Sequence, residues 1–385
     1  MPKKFQVILI SLLLFPSLSN AQYDFSFSGY VVNMPIYQLS NEKLSNLFSF
    51  KKNMILDLTR IRLRPTLHLW SSARINAEYE IAGLYFNSIG NFLIVPSNKT
   101  NRQLCDLTWN PVDEKNYSVV HFVDRLSFRQ EFENGNIEIG RQRIAWGTGR
   151  IWNPTDLFNP INPAAYYKLE KDGADVVSLK YAFGNFTDLN IVFNPQEKLN
   201  KSNYAFRFRT NFDEYDVSVM GGYFDQRIVA GMDFAGNLGK AGFRGEGIIS
   251  IDKNDFSNNF VKFILGADQQ FTPKLYGMIE YHFNGEGKKD KLKYEFARLI
   301  KGEIINLSQN YVYTMLSYQL SPLLSVSLSN NINLNDGSGF IGGSGNYPLT
   351  ENFYLNLGLQ IIYGSDNTEY WYYPNSIYLE GEYYF

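Results

Sequence analysis

Ile377-Tyr378-Leu379-Glu380-Gly381-Glu382-Tyr383-Tyr384-Phe385, the last nine residues of the chain, alternate with period two. Ile377, Leu379, Gly381, Tyr383 and Phe385 fall on one side of an extended segment, and Tyr378, Glu380, Glu382 and Tyr384 on the other. Successive side chains of a strand point to opposite faces. A strand with carboxylates on one face and apolar groups on the other therefore separates two different solvents. The pattern repeats upstream. From Ala73 to about Tyr85, one face holds Ala73, Ile75, Ala77, Tyr79 and Ile81, the other Arg74, Asn76, Glu78 and Glu80. Between Met54 and Trp70, Arg60, Arg62, Arg64, Thr66, His68 and Trp70 stand opposite Ile61, Leu63, Pro65, Leu67 and Leu69.

Segments of roughly ten alternating residues separated by turns are the mark of a transmembrane β-barrel, whose apolar face meets lipid and whose polar face meets a wet lumen. The bulk properties agree. No stretch of about eighteen apolar residues occurs beyond the first twenty-odd positions, so a helical membrane protein is excluded. The chain carries 27 Tyr and 30 Phe against 5 Trp in 385 residues, with a mean hydropathy of -0.26. That aromatic load suits the girdles a barrel needs at both membrane interfaces. Net charge is -2, which is no footprint for nucleic acid.

The connections predict topology. Short turns are expected at Ser71-Ser72, Asn134-Gly135 (a type I′ hairpin), Gly184-Asn185, Asp213-Glu214, Asn237-Leu238-Gly239, Thr272-Pro273, Ser321-Pro322 and Thr350-Glu351. Longer stretches run from Met34 to Asn53, Phe86 to Ser118, Gly147 to Gly173 and Gly285 to Gln309. Short periplasmic turns alternating with long extracellular loops give an all-β, antiparallel barrel of about eighteen strands, sixteen being possible. The weakly patterned stretches are Gly231 to Ile251 and Phe340 to Leu349.

At the N-terminus Lys3 and Lys4 precede an apolar run from Phe5 to Phe15, and Ser19-Asn20-Ala21 supplies small residues for cleavage. This reads as a signal peptide over residues 1–21, with the barrel over 22–385. The single cysteine, Cys105, cannot form an internal disulfide or a thiolate metal site. His68 and His121 fall on different strands, and no serine motif accompanies either them or His282, so no catalytic, metal or cofactor site is expected.

Twelve of the fifteen arginines lie before residue 211. Arg60, Arg62 and Arg64 share one lumen face, joined by Arg74, by Arg125 and Arg129, and by Arg207 and Arg209. Stacked guanidinium groups repel unless they face water, anions or acidic partners. They read either as an anion-attracting track or as a wall paired internally with Glu78, Glu80, Glu131 and Glu138.

The most specific segment is Gly140-Arg141-Gln142-Arg143-Ile144-Ala145-Trp146-Gly147, followed by Trp152-Asn153-Pro154-Thr155-Asp156-Leu157-Phe158-Asn159-Pro160 and by Gly173-Ala174-Asp175. Over about forty residues the chain resembles a family of porin-like outer-membrane barrels, mostly uncharacterised, with a Gly-Arg-Gln…Trp-Gly strand and an Asn-Pro-x-Asp-x-x-Asn-Pro loop. The Gly-Arg-Gln element is also similar, more weakly, to alginate-export-type barrels, which have eighteen strands and an arginine-rich lumen. Pro154, Pro160 and Pro163 stiffen the loop, and Asn153, Asp156 and Asn159 can hold its turns. An ordered loop, Trp152 included, is expected either to fold inward as a constriction, with the acids Asp156, Glu170 and Asp172 opposing the arginine strands, or to brace the wall or cap the outside. Lys289 to Ile300 reads as an amphipathic helix of an outer loop, with Leu292, Phe296, Leu299 and Ile300 as its apolar stripe and Lys289, Lys293 and Glu303 wet.

These features point to a passive channel for small polar or anionic solutes in the outer membrane of a Gram-negative bacterium. The alternatives are an exporter of polysaccharide or lipid with periplasmic partners, and a non-conducting structural or adhesion barrel. The final strand, ending in Phe385, resembles the signal that such barrels present to their assembly machinery. The implied surroundings are outer-membrane lipid and lipopolysaccharide, and monomer and trimer are equally compatible with the pattern.

Overall fold

The computed structural model describes residues 23–48, 51–88, 102–159, 170–300 and 304–385. The expected signal peptide, Pro160, Pro163 and Glu303 lie outside the described residues.

Three long strands open the chain: β1 (Asp24–Leu39), β2 (Asn53–Trp70) and β3 (Ala73–Phe86). A short strand, β4 (Thr108–Glu114), precedes β5 (Tyr117–Phe132), β6 (Gly135–Gln142), β7 (Ala174–Ala182), β8 (Asp188–Asn194) and β9 (Asn203–Phe212). A meander follows: β10 (Tyr215–Phe224), β11 (Arg227–Leu238), β12 (Ala241–Ile251), β13 (Phe260–Thr272) and β14 (Leu275–Asn284). It ends with β15 (Asn310–Gln319), β16 (Ser325–Asn333), β17 (Gly339–Pro348), β18 (Phe353–Tyr363) and β19 (Asn375–Tyr384). All pair antiparallel in one nineteen-stranded sheet that closes β1 on β19. Because β4 is an accessory strand paired to β5 alone, the barrel itself has eighteen.

The closing seam runs from Leu39↔Asn375 to Tyr30↔Tyr384. It is extended by the Gly29 amide donating to the Phe385 carbonyl at 2.8 Å and the Phe385 amide donating back at 3.0 Å. A Cβ at Gly29 would stand 2.6 Å from the Phe385 ring, so only glycine lets the terminal aromatic lie across the seam.

Directly opposed residues share a face, so the pairing fixes inside and outside. Ile61↔Ile81 and Leu63↔Tyr79 point outward, while Arg62↔Glu80 and Thr66↔Asn76 point inward. Ile55, Leu126, Ile139, Phe206, Val219, Ile249, Leu316, Leu357 and Leu379 stand bare on the outer surface, as a barrel facing hydrocarbon requires. The weakly patterned stretches resolve as β11, β12 and β17, bringing the count to the expected eighteen.

Turn chemistry differs from expectation in detail. Phe132 pairs with Gly135, so the hairpin residues are Glu133-Asn134, and neither takes the positive φ of a type I′ turn. That conformation falls instead to Asp213-Glu214 (φ 48 and 68) and, at the opposite end of the barrel, to Asp225-Gln226 (φ 51 and 64). Two other turns sit later than expected, at Gly239-Lys240 and Pro273-Lys274, because the flanking strands zip further before reversing.

Candidate functional site

The expected fifth barrel strand stops early. β6 leaves the sheet after Gln142, so Arg143 to Gly147 run into the lumen rather than up the wall. Gly140 makes this possible: its φ is +121, and a Cβ there would lie 2.2 Å from the Leu126 carbonyl. Arg141 and Asp175 then close the breach. The Arg141 guanidinium binds Asp175 at 2.7 Å, the Val123 carbonyl at 2.9 Å and the Cys105 carbonyl at 2.5 Å. Asp175 also accepts from the Leu104 and Cys105 amides. The stretch from Arg102 through β4 therefore fills the wall beside β5 that β6 has vacated. Gln142 Nε2 donates to the Glu138 carbonyl, and its Oε1 accepts from Ser178. The Gly-Arg-Gln…Gly-x-Asp residues thus act as a latch in the wall.

Beyond the breach the segment crosses to β12 and β14, six and eight barrel positions away from β6 in the strand order. Ile144, Trp146 and Phe158 pack with Val176, Val192, Ala205, Met220, Phe224, Val229 and Ile248, building an apolar core inside the lumen. Trp146 Nε1 donates to Asn190 at 3.0 Å. Two wall carboxylates then clamp the chain. Glu246 accepts the amides of Thr148, Gly149 and Thr155, and Glu280 those of Arg150, Ile151 and Trp152. Trp152, 1% exposed, stacks on His282 and packs with Ile264, Tyr311, Phe340 and Tyr370. Asn153 holds the Gly149 carbonyl, and Pro154 occupies the turn between the two halves of the clamp.

The returning limb docks on the arginine wall. Glu170 binds Arg64 and lies 3.2 Å from Arg62. The Lys171 carbonyl accepts from Arg125, and the Gly173 amide donates to Asp124. Within the loop, Lys171 pairs with Asp156 at 2.6 Å, Asp156 accepts the Asn159 amide, and Asn159 donates to the Asp172 carbonyl. Burial pushes the Asp156 carboxyl above its usual value, while Lys171 and the Asn159 amide pull against that shift.

The arginines are therefore neutralised by partners. Arg62, 2% exposed, contacts Glu78, Glu80, Asp124 and Glu170. Glu78, Asp124 and Glu170 bring ligand atoms within 4.8 Å of one another, and Arg62 holds the position that a cation would take. Arg60 faces Glu80, Arg125 faces Glu78 and Asp124, Arg74 and Arg129 face Glu131, and Arg129 also faces Glu138. Arg207 pairs with Asp233 and Arg209 with Asp188. Of the two sequence readings of these residues, the geometry is that of an internally paired wall. The loop acids do not face the arginines across a gap: Glu170 touches them and Asp156 is paired within the loop, because the inward segment is long enough to reach both walls.

Sequence reasoning missed Glu246 and Glu280. Both lie on the inward period of their strands, and Glu246 stands between two glycines, which is the signal that could have revealed a close backbone approach. It also missed Arg143 and Arg150, which are exposed on the inward segment and form no ion pair among the described residues.

The outer loops add a second cap. Lys289 to Ile300 is not one helix. A 3-10 turn at Lys291–Lys293 and a helical turn at Phe296–Ile300 are separated at Tyr294, which is extended because its hydroxyl is tied to Asp336 at 2.9 Å. Leu292 points to solvent, while Phe296 and Leu299 pack on Tyr294, Ile304 and Leu307. Glu369, from the loop between β18 and β19, accepts from the Leu307 amide, the Tyr311 hydroxyl and Asn333. Burial, reinforced by Asp336, pushes its carboxyl up to about 7 despite these donors.

Solved structures share this architecture. OccAB1 of Acinetobacter baumannii aligns with a TM-score of 0.55 at 10% identity, over 96% of this chain and 99% of that one. OccD3 (OpdP) of Pseudomonas aeruginosa aligns with a TM-score of 0.53 at 10% identity, over 94% and 91%. At this identity the likeness is one of fold. No family model and no curated sequence matches the chain.

Proposed function

We propose that this protein is a passive diffusion channel of a Gram-negative outer membrane, passing small polar solutes through the part of the lumen that the inward segment leaves open. The observation that carries this reading is the double anchorage of that segment, clamped by Glu246 and Glu280 on one side and by Arg62, Arg64 and Arg125 on the other. A segment held on two walls of a closed, polar-lined barrel sets the size of a pore. Ion selectivity then comes from the charges left unpaired, and Arg143 and Arg150 are cationic groups of that kind on the segment.

Planar-bilayer recording of refolded protein tests the reading. Stable open-channel steps in KCl are expected, with a reversal potential under a salt gradient that shows only modest anion preference. An absence of conductance from pure, heat-modifiable barrel would end it and favour a structural role.

A further inference from the structure

The inner faces of β15, β16, β17 and β18 carry no charged side chain. From Asn310 to Tyr363 the chain has two charged residues, Asp336 and Glu351, and both lie outside the strands. The strand register gathers the polar residues of this wall into rows. Tyr276, Ser317, Ser327 and Ser344 stand opposite one another in one row, and Gln319, Ser325, Asn346 and Asn356 in the row nearer the periplasm. Row neighbours are about 4.5–5.5 Å apart, the spacing of cross-strand pairs. Ser327 donates to Ser317 at 3.0 Å, and Asn346 donates to Asn356.

At the periplasmic end these rows border a cavity of about 340 Å³ lined on the wall side by Gln270, Tyr276, Ser317, Gln319, Ser325 and Asn346 and on the turn side by prolines and leucines. Lys274, in the adjoining turn, is the charged residue on its border. A pair of carboxylates closes one flank of the wall, where Asn356 donates to Glu380 at 2.8 Å and to Glu382 at 3.2 Å; on the other flank Asp268 is ion-paired with Arg244.

The strand faces of this wall offer dipoles rather than counter-charge to a solute lying against them. Hydroxyls and carboxamides both donate and accept, so their best match is a solute whose own groups do both at close, regular spacing. Glu380 and Glu382, on the flank away from Lys274, repel an anionic version of that solute. The cavity volume falls at the small end of the range for small-molecule sites.

We propose that a neutral polyhydroxylated solute, a saccharide, binds this wall at the periplasmic mouth of the lumen, with Ser317, Gln319, Ser325 and Asn346 supplying its hydrogen bonds. The proposal rests on the channel reading for its route through the membrane, but the site itself is separable from conduction.

Titration calorimetry on the detergent-solubilised barrel separates the two. Maltotriose is the neutral probe and trigalacturonate the anionic one. Saturable maltotriose heat is expected, with trigalacturonate at least about tenfold weaker. In bilayers, maltotriose added on the periplasmic side should interrupt the KCl current. Combined Ser317→Ala, Gln319→Ala and Asn346→Ala substitution should weaken both effects while KCl conductance is kept. A barrel that binds maltotriose without conducting would sink the channel reading and leave the site standing. A conducting barrel with no saturable maltotriose heat, or with trigalacturonate the tighter ligand, overturns the saccharide site, and the wild-type comparison of the two sugars needs no variant to fold.

Discussion

Arg62 shows why charge on the inner wall is not the same as charge offered to a solute. It is buried among four carboxylates, and removing one member of a buried, hydrogen-bonded charge group strands the others. Arg62→Ser is expected to cost about 3–5 kcal/mol of stability, read as a fall in the thermal unfolding midpoint. Arg143→Ser with Arg150→Ser should leave that midpoint in place and move the reversal potential toward cations. If the two experiments give the opposite pattern, Arg62 is a solute contact and the internally paired wall is the wrong description. Glu369 supplies a pH dependence. Its folded value of about 7 lies above the ordinary 4.5, so the folded state holds the proton more tightly than the unfolded chain. Its contribution is fully present below about 4.5 and is lost as pH rises through about 7. Outer-loop protection from proteolysis or hydrogen exchange should therefore decline from pH 5 to pH 8, and Glu369→Gln should flatten that decline.

At the scale of elements, the inward segment is governed by its backbone more than by its side chains. Six amide groups converge on Glu246 and Glu280, three on each, and a hydrogen bond to a charged group contributes about 1.5–3 kcal/mol. Glu246→Gln with Glu280→Gln keeps the shape but removes the charge. The expected result is a barrel that still assembles and conducts with larger, noisier steps; unchanged conductance would mean that the apolar core around Trp146 and Phe158 holds the segment unaided. The latch at the wall breach has its own signature. Gly140→Ala collides with the Leu126 carbonyl in a φ region that side chains rarely adopt, so loss of assembled barrel on unheated gels is expected. The outer loop gives the reverse lesson about legibility. A helical stripe over Lys289 to Ile300 was readable from spacing, yet one hydroxyl bond from Tyr294 to Asp336 divides it into two short turns.

For the whole molecule, closure depends on the first strand meeting the last. Deleting Phe385 removes two backbone bonds to Gly29 and the ring that lies over it, and the yield of folded barrel in detergent refolding should drop relative to Phe385→Tyr, which keeps both. An antiparallel barrel of about eighteen strands and the facing of each long strand were legible in the amino-acid order by itself, whereas an inward course was only one of those open to the Trp152 segment. Period-two alternation and turn residues are local properties, and the contrast between lipid and water forces each alternating strand to face one way. The chemistry of the interior was not legible in that way. Whether Arg62 meets an anion or Glu170, whether Arg141 lines a pore or latches Asp175, and which carboxylates catch the Thr148 to Thr155 amides depend on partners distant in the chain, from 16 residues for Arg62 and Glu78 to 130 for Arg150 and Glu280. Only barrel closure, which fixes register and brings opposite walls within reach of one segment, decides those pairings.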